Sequence, residues 1–408
     1  MPRSRRGAGR VATALVVCAA ALASIASPTL ADGWTRPRTV AAHAQLSALH
    51  EVAAVGDIVV VAHARIGPGA REDRLMLHRS TDGGATWPVT RTLFTSGKVH
   101  RVLVPNLAVA TSDALVIVTW RARGPTGTWL FLRTSRDGGL TFGRQIQLVG
   151  TSRPRGLGVP AVAISDRAVV VAWTDRKTGD VRIRRSQDGA RSFGAPRTLA
   201  RTRLTIDCFD PAVRDGLVGL VAAAHRIHLA WSDAPAGECL ASRIRSRTSG
   251  DDGLTWGRPK LVTGATTFGW AELAARGRRV LASVQAPDGS LVVARSTDGG
   301  RTFAGRRIRP SAGRELGAGD VTLRQDGRAW IAYPDLAYSG EDVESSRLQI
   351  RYSTDSGATW GPAATLLGDA PRLRQAPNVV LRRGLPVVVF QGGPADGSSS
   401  DIRAMRRT

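Results

Sequence analysis

The octapeptide STDGGATW, Ser80 to Trp87, returns five more times along the chain and limits its possible folds more than any other feature. The copies are SRDGGLTF (Ser135 to Phe142), SQDGARSF (Ser186 to Phe193), SGDDGLTW (Ser249 to Trp256), STDGGRTF (Ser296 to Phe303) and STDSGATW (Ser353 to Trp360). Together they define S-x-D-x-G-x-[TS]-[WF], with Ala190 at the Gly position of the third, and first serines separated by 55, 51, 63, 47 and 57 residues. Such a period holds one supersecondary unit and is too irregular for a solenoid ladder.

Each letter of the motif has a physical task. Ser and Asp at the mouth of a tight turn hydrogen-bond the turn's own backbone amides, and the Gly that follows takes a left-handed conformation that a Cβ resists. The Thr and the aromatic residue then resume an extended strand, with the ring facing inward. Asp82, Asp137, Asp188, Asp251, Asp298 and Asp355 are therefore read first as structural residues of hairpin turns.

Upstream of each turn one plan recurs: a short apolar strand, a turn, a longer strand often ending in an aromatic, a variable polar loop, and an alternating strand. In the first unit these are His50 to Val55, Asp57 to Ala64, a loop from Arg65 to Asp73, and Arg74 to Arg79. Four strands per unit, short polar turns and no amphipathic helix describe a propeller blade. After the sixth turn come three more strands, Pro377 to Leu381, Leu385 to Phe390 and Asp401 to Arg406. Near the other end, Gly33-Trp34-Thr35-Arg36-Pro37 reads like the tail of a turn, as in Thr255-Trp256-Gly257-Arg258-Pro259. The expected fold is an all-β, seven-bladed β-propeller of four-stranded antiparallel blades, the last closed by N- and C-terminal strands, with a six-bladed ring as fallback. It fills one domain from 32 to 408.

The motif is similar to the Asp-box, or BNR repeat, and the chain resembles the sialidase superfamily of β-propellers over nearly all of its length beyond residue 31. The resemblance implies that the turns join the third and fourth strands of each blade, away from the ligand face. It leaves activity open, because such turns also occur in propellers that are not sialidases.

The first residues carry Arg3, Arg5, Arg6 and Arg10, then an apolar run from Val11 to Ala26, then Thr29-Leu30-Ala31. Basic, apolar and small-residue segments in that order read as a secretory signal over 1–31, so the protein is expected to be secreted or extracytoplasmic. The rival reading is a retained anchor, for which the run is short and alanine-rich. With the signal removed, the formal net charge goes from +24 to +20, nearly all of it from arginine, and two cysteines remain, Cys208 and Cys239. In an exported chain two cysteines point to one disulfide, and the blade topology puts both on the same rim.

That rim also gathers Arg65, Arg101, Arg121, Arg155, Arg176, Arg203 and Arg374, with Tyr338 in a long loop beside Glu341, Asp342 and Glu344. Guanidinium groups fork onto carboxylates, sulfates and phosphates, so these are the candidate ligand-binding residues for an acidic glycan or another surface polyanion, and export sets nucleic acid aside. A second group lies where each innermost strand begins. Aligning HEVAA, PNLAV, PAVAI, PAVRD, AELAA, DVTLR and PNVVL puts Glu51, Asn106, Ala161, Ala212, Glu272, Asp320 and Asn378 in one column. Glu272, Asp320 and Glu51 are the catalytic candidates, since paired carboxylates across a channel can do acid and base work on a glycosidic bond. The structural alternative is that this column hydrogen-bonds channel water and backbone.

Sialidases carry an arginine in an R-I-P motif on the first innermost strand, where this chain reads Leu49-His50-Glu51-Val52. The seven histidines show no metal-ligand spacing, and no cofactor is indicated. Two main readings stay open: a monomeric, exported binding propeller for an acidic carbohydrate, or a sialidase-like glycoside hydrolase. A protein-interaction scaffold is the third.

Overall fold

The computed structural model describes residues 31–42, 50–65, 73–97, 101–109, 115–153, 156–166, 168–202, 218–233, 242–266, 271–340, 342–394 and 400–408. Strands are the only long regular elements among them. The alternation of apolar and polar residues has the period of a strand, and the turns interrupt it too often for any helix to propagate. Among the described residues no helix is long and apolar enough to cross a membrane.

Seven antiparallel sheets follow one another along the chain. Their innermost strands are His50–Val55, Arg101–Val109, Ala161–Ile164, Val218–Ala223, Glu272–Arg276, Asp320–Leu323 and Arg372–Arg382, in blades 1 to 7. Each innermost strand touches the next, and that of blade 7 touches that of blade 1, so the ring is closed. Six sheets have four strands. Blade 6 has a fifth, Arg314–Leu316, which pairs with the outer half of the long strand Ala329–Ser339.

Blade 7 is closed by both ends of the chain. Arg38–Ala41 pairs with Asp401–Arg406, Trp34 forms an antiparallel bridge to Arg407, and the Thr408 amide donates to the Gly33 carbonyl at 2.8 Å. Trp34 takes the place of the aromatic residue that the other blades draw from their turns. Phe142, Phe193, Trp256, Phe303, Trp360, Trp34 and Trp87 each pack into a different one of the seven blade interfaces. The core is thus a set of dry slabs between sheets. Trp120, Trp173, Tyr333 and Phe390 are fully buried in these slabs, where each ring contributes about 1.5–3 kcal/mol over an exposed one.

The turns are built as the motif demands, with one addition. In the first, Ser80 Oγ donates to Asp82 Oδ1 at 2.7 Å, and the Asp82 carboxylate accepts from the Thr86 amide at 2.9 Å and from its hydroxyl at 2.6 Å. Two successive residues are left-handed, not one: Gly83 at φ 69 and Gly84 at φ 86. The second position holds Ala190 at φ 65 in the third turn.

Arginines join the blades, and one pair of contacts recurs at every second interface, besides single ones such as Arg136 to the Gly189 carbonyl and Arg406 to that of Asp82. Arg79, Arg185 and Arg295, each just before the turn serine of blades 1, 3 and 5, donate to the carbonyls of Gly138, Asp252 and Ser356 in the following blade's turn. From the outermost strands of the same blades, Arg91, Arg197 and Arg306 donate to Leu140, Leu254 and Ala358, two residues further on. In blades 2, 4 and 6 the residue before the serine is Thr134, Thr248 or Tyr352. Much of the arginine on the turn face is therefore spent on fastening odd blades to even ones.

Candidate functional site

The innermost strands share one register, which fixes the polar column. Glu51 pairs with Ala62, Asn106 with Thr119, Ala161 with Ala172, Glu272 with Ser283, Asp320 with Ala332 and Asn378 with Val389. The blade 4 member is Gly219, opposite Ala230, and not Ala212, which lies outside the described residues. The reason is local: strand Arg226–Asp233 is preceded at once by the hairpin turn at Ala224, so its partner strand has to be Val218–Ala223. A side chain at position 219 would also run into the Ala271 carbonyl of blade 5, 2.8 Å from an ideal Cβ.

Strand periodicity gives the column one facing, and for Asp320 that is toward the following blade. Asp320 Oδ2 accepts from the Val379 amide of blade 7 at 2.7 Å, its Oδ1 from the Val321 amide at 2.7 Å, and Asn378 gives a third hydrogen bond. Those donors are free because an innermost strand has no partner on its channel side. Glu272, on blade 5, has no hydrogen-bond donor of this kind among the described residues. Both carboxyls lie deep in the protein, although each residue as a whole is partly exposed.

Burial pushes both carboxyls well above the usual carboxylate range, and the charge of Asp320 pushes Glu272 further. The three donors facing Asp320 favour its ionised form, so of the two Asp320 is the first to ionise and Glu272 holds its proton longer. An acid beside a fixed carboxylate can give a proton to a leaving oxygen, or the pair can grip a cation. Glu51 stands in the same column, but its side chain turns toward blade 2.

The arginine candidates are distributed differently. Arg65 is exposed at the end of its strand, with no ion pair to a described residue. Arg121 is only 2% exposed and donates to the Leu157 carbonyl at 3.0 Å. Arg176 is half-buried just beyond strand Val169–Asp175. Arg101 and Arg374 lie on the outer extensions of the innermost strands of blades 2 and 7. Arg155, Arg203, Cys208 and Cys239 lie outside the described residues. Tyr338 is on strand Ala329–Ser339, paired with Val343 and 39% exposed, and burial followed by the charge of Glu315 raises its hydroxyl pKa. Its charged neighbour is thus Glu315, and the reading of a loop there is replaced by a projecting hairpin arm.

Ser283 and Glu315 were missed by sequence reasoning. Ser283 could have been found by carrying the column across to the second strand, where the other blades show Ala62, Thr119, Ala172, Ala230, Ala332 and Val389. Among the described residues, no three His, Cys, Asp or Glu side chains are grouped to hold a metal ion.

No protein-family profile matches the chain, and no curated protein matches it in sequence. Solved structures match in fold. The NanB sialidase from Streptococcus pneumoniae is 10% identical with a TM-score of 0.50, the match covering 92% of this chain and 70% of that one. Trypanosoma rangeli sialidase, in complex with 2,3-difluorosialic acid as a covalent intermediate, is 12% identical with a TM-score of 0.50, covering 93% and 60%. The chain thus spans less than two thirds of the Trypanosoma sialidase. The β-propeller domain of the Trilobed protease from Pyrococcus furiosus is 8% identical with a TM-score of 0.50, covering 88% and 94%, and is described as having an open velcro topology. At these identities the likeness is one of fold: this chain is a seven-bladed β-propeller, closed by its own terminal strands.

Proposed function

We propose that this is an exported propeller that binds an acidic carbohydrate, or another surface polyanion, across an arginine arc on the channel-mouth face of blades 7, 1 and 2. The observation that carries the reading is the polarity of that face. Arg372, Arg374, Arg65, Arg74, Arg101 and Arg123 sit at the strand ends of those three blades. The carboxyls Glu272, Asp320, Glu315, Asp335 and Asp369 gather on blades 5 and 6.

Blade 6 keeps its charges to itself: Arg314 and Arg347 are held by Asp335, and Arg314 also donates to Asp369 at 2.8 Å. Arg65, Arg123 and Arg153 have no such ion pair to a described residue, which leaves their forks for a ligand. Retention on a sialylated or sulfated glycan surface tests the reading. Binding is expected at about 50 mM salt and is expected to fall steeply by about 200 mM, as attraction between arginines and anions does. No retention at low salt would end it.

The order of ionisation, Asp320 before Glu272, favours a second reading, a sialidase-like glycoside hydrolase with Glu272 as proton donor. Release of a fluorophore from a sialoside or another aryl glycoside, lost in both Glu272→Gln and Asp320→Asn, would support it. Turnover on no substrate, with glycan retention intact, leaves the binding reading alone.

A further inference from the structure

The outermost strand of every blade leaves one edge of its sheet without a partner strand among the described residues, and a bare edge invites another chain to pair with it. Two devices spoil such pairing around most of the ring. In six blades the register between the third and outermost strands slips, as between Leu75 and Met76 in blade 1 or Val181 and Arg182 in blade 3. In five of those six a proline, Pro37, Pro88, Pro196, Pro259 or Pro362, stands just ahead of the outermost strand. Blade 5 has neither. Its outermost strand, Ala304–Ile308, follows Phe303 directly and pairs with Leu291–Ser296 without a slip, from Ala304 opposite Arg295 to Ile308 opposite Leu291. Ala304 to Arg307 are all exposed, and Ala304 and Gly305 put no bulk in the way of a second backbone.

Charge decides what can lie there. Arg307 is held by Asp288 and donates to Ser290 Oγ at 2.9 Å. Arg306 donates only to the neutral Ala358 carbonyl, at 3.0 Å, and Arg309, exposed just past the strand, has no ion pair to a described residue. The edge therefore keeps positive charge that no carboxylate offsets. An antiparallel second copy of the same strand would set arginine against arginine, which disfavours pairing between copies.

We propose that the outer edge of Ala304–Ile308 is a docking site for an extended acidic peptide segment of another protein, which adds a fifth strand to blade 5. Its main chain pairs with the outward amides and carbonyls that alternate along the strand, and its carboxylates select it through Arg306 and Arg309. The inference rests on the unbroken ladder of blade 5 and is independent of the arginine arc.

The test mixes the full chain with a fluorescent peptide of alternating Glu and Thr, and follows amide hydrogen exchange on the same mixture. One saturable site is expected, with exchange slowed at Ala304–Ile308 and unchanged on the outermost strands of the other blades. The same peptide N-methylated throughout keeps its charge and loses its donors, and is expected to bind at least about tenfold more weakly. Arg309→Glu is expected to weaken binding several-fold with the melting temperature unchanged. Equal binding of the methylated peptide, no saturation by about 1 mM, or binding without slowed exchange on this strand would overturn the proposal. A dimer that protects the strand in the absence of peptide would overturn it in favour of a second copy. Glycan retention measured at saturating peptide keeps the two surfaces apart: it is expected to persist, and its loss would put the peptide on the arc and overturn the proposal.

Discussion

The imidazoles of His63 and His78 stack with centroids 5.2 Å apart and meet through their Nε2 atoms at 3.1 Å, inside the sheet face that blade 1 turns to blade 7. One proton lies between the two nitrogens, and a second would set two N–H groups against each other. His50, opposite His63 across the strand pair, donates from Nε2 to the Val389 carbonyl of blade 7 at 3.3 Å. The Nδ1 atoms of His50 and His63 are buried without a partner. The interface beside the terminal clasp is therefore lined by three neutral imidazoles. The described charges on this side are Arg65, Arg74, Arg382 and Arg406, with Asp57 holding Arg382.

These histidines make stability depend on acidity. Burial lowers His50 and His78 to about 4, and burial with the charge of His78 lowers His63 to about 3. The unfolded chain takes up these protons near the ordinary value of 6.5, the folded chain only near 4 or below. Stability is thus lost as pH falls from about 6.5 to about 4, by roughly 3 kcal/mol for His50 alone. Denaturant melts at pH 7, 5.5 and 4 check this. His63→Gln, which cannot take a proton, is expected to flatten the dependence, and an unchanged slope would count against it.

The turn aspartates act lower on the pH scale. Partial burial opposes ionisation of Asp82, but the hydrogen bonds from Thr86, Ser80 and Ala85 outweigh it and hold its carboxyl at about 2. For Asp355 the Thr359 hydroxyl and amide lead, again to about 2. The stability these turns contribute is present above about 3.8 and lost toward 2. Asp355→Asn is expected to shrink the loss seen between pH 4 and pH 2, and to lower the melting temperature at neutral pH by a few degrees.

Two adjacent glycines in one turn differ in what they tolerate. A Cβ on Gly84 would lie 3.5 Å from Val387 and meets ordinary packing, so Gly84→Ala costs only the left-handed strain, about 1–2 kcal/mol, which Ala190 already bears in the third turn. A Cβ on Gly83 would fall 1.9 Å from Arg382 Cδ and displace the guanidinium that donates to Asp57 at 2.9 Å. Gly83→Ala is expected to be the more destabilising in paired thermal melts.

The alternating arginine fasteners predict unequal interfaces. Arg185→Ala removes the part-buried hydrogen bond of 2.6 Å to the Asp252 carbonyl, a loss of about 1 kcal/mol. Arg191→Ala, on an exposed side chain of the same blade's turn, is expected to change stability by less than about 0.5 kcal/mol. Hydrogen exchange at Asp252 to Thr255 should rise in the first variant only.

Much of the ring was legible because its signals are local. Trp34 could be recognised as a turn aromatic from its own neighbours, and the column from strands too short to slip. Blade 4 was misplaced because Pro211 to Asp215 has the same short apolar pattern as the true strand, and only the hairpin at Ala224 decides between them. The arginine fasteners were illegible because their acceptors are backbone carbonyls of the next blade, which no side-chain motif announces. The pairing of His63 with His78 needs the diagonal neighbour across two strands, a relation that spacing along the chain does not reveal.

Two charge reversals on opposite faces give the most direct test of the functional account. Arg65→Glu with Arg123→Glu alters the arc on blades 1 and 2, and Arg301→Glu alters an exposed turn on the far face; all are measured for acidic-glycan binding at about 50 mM salt. The account predicts that the first pair abolishes retention and that Arg301→Glu leaves it within about twofold of the parent. Equal losses from both faces, or full retention by the arc variant, would contradict it.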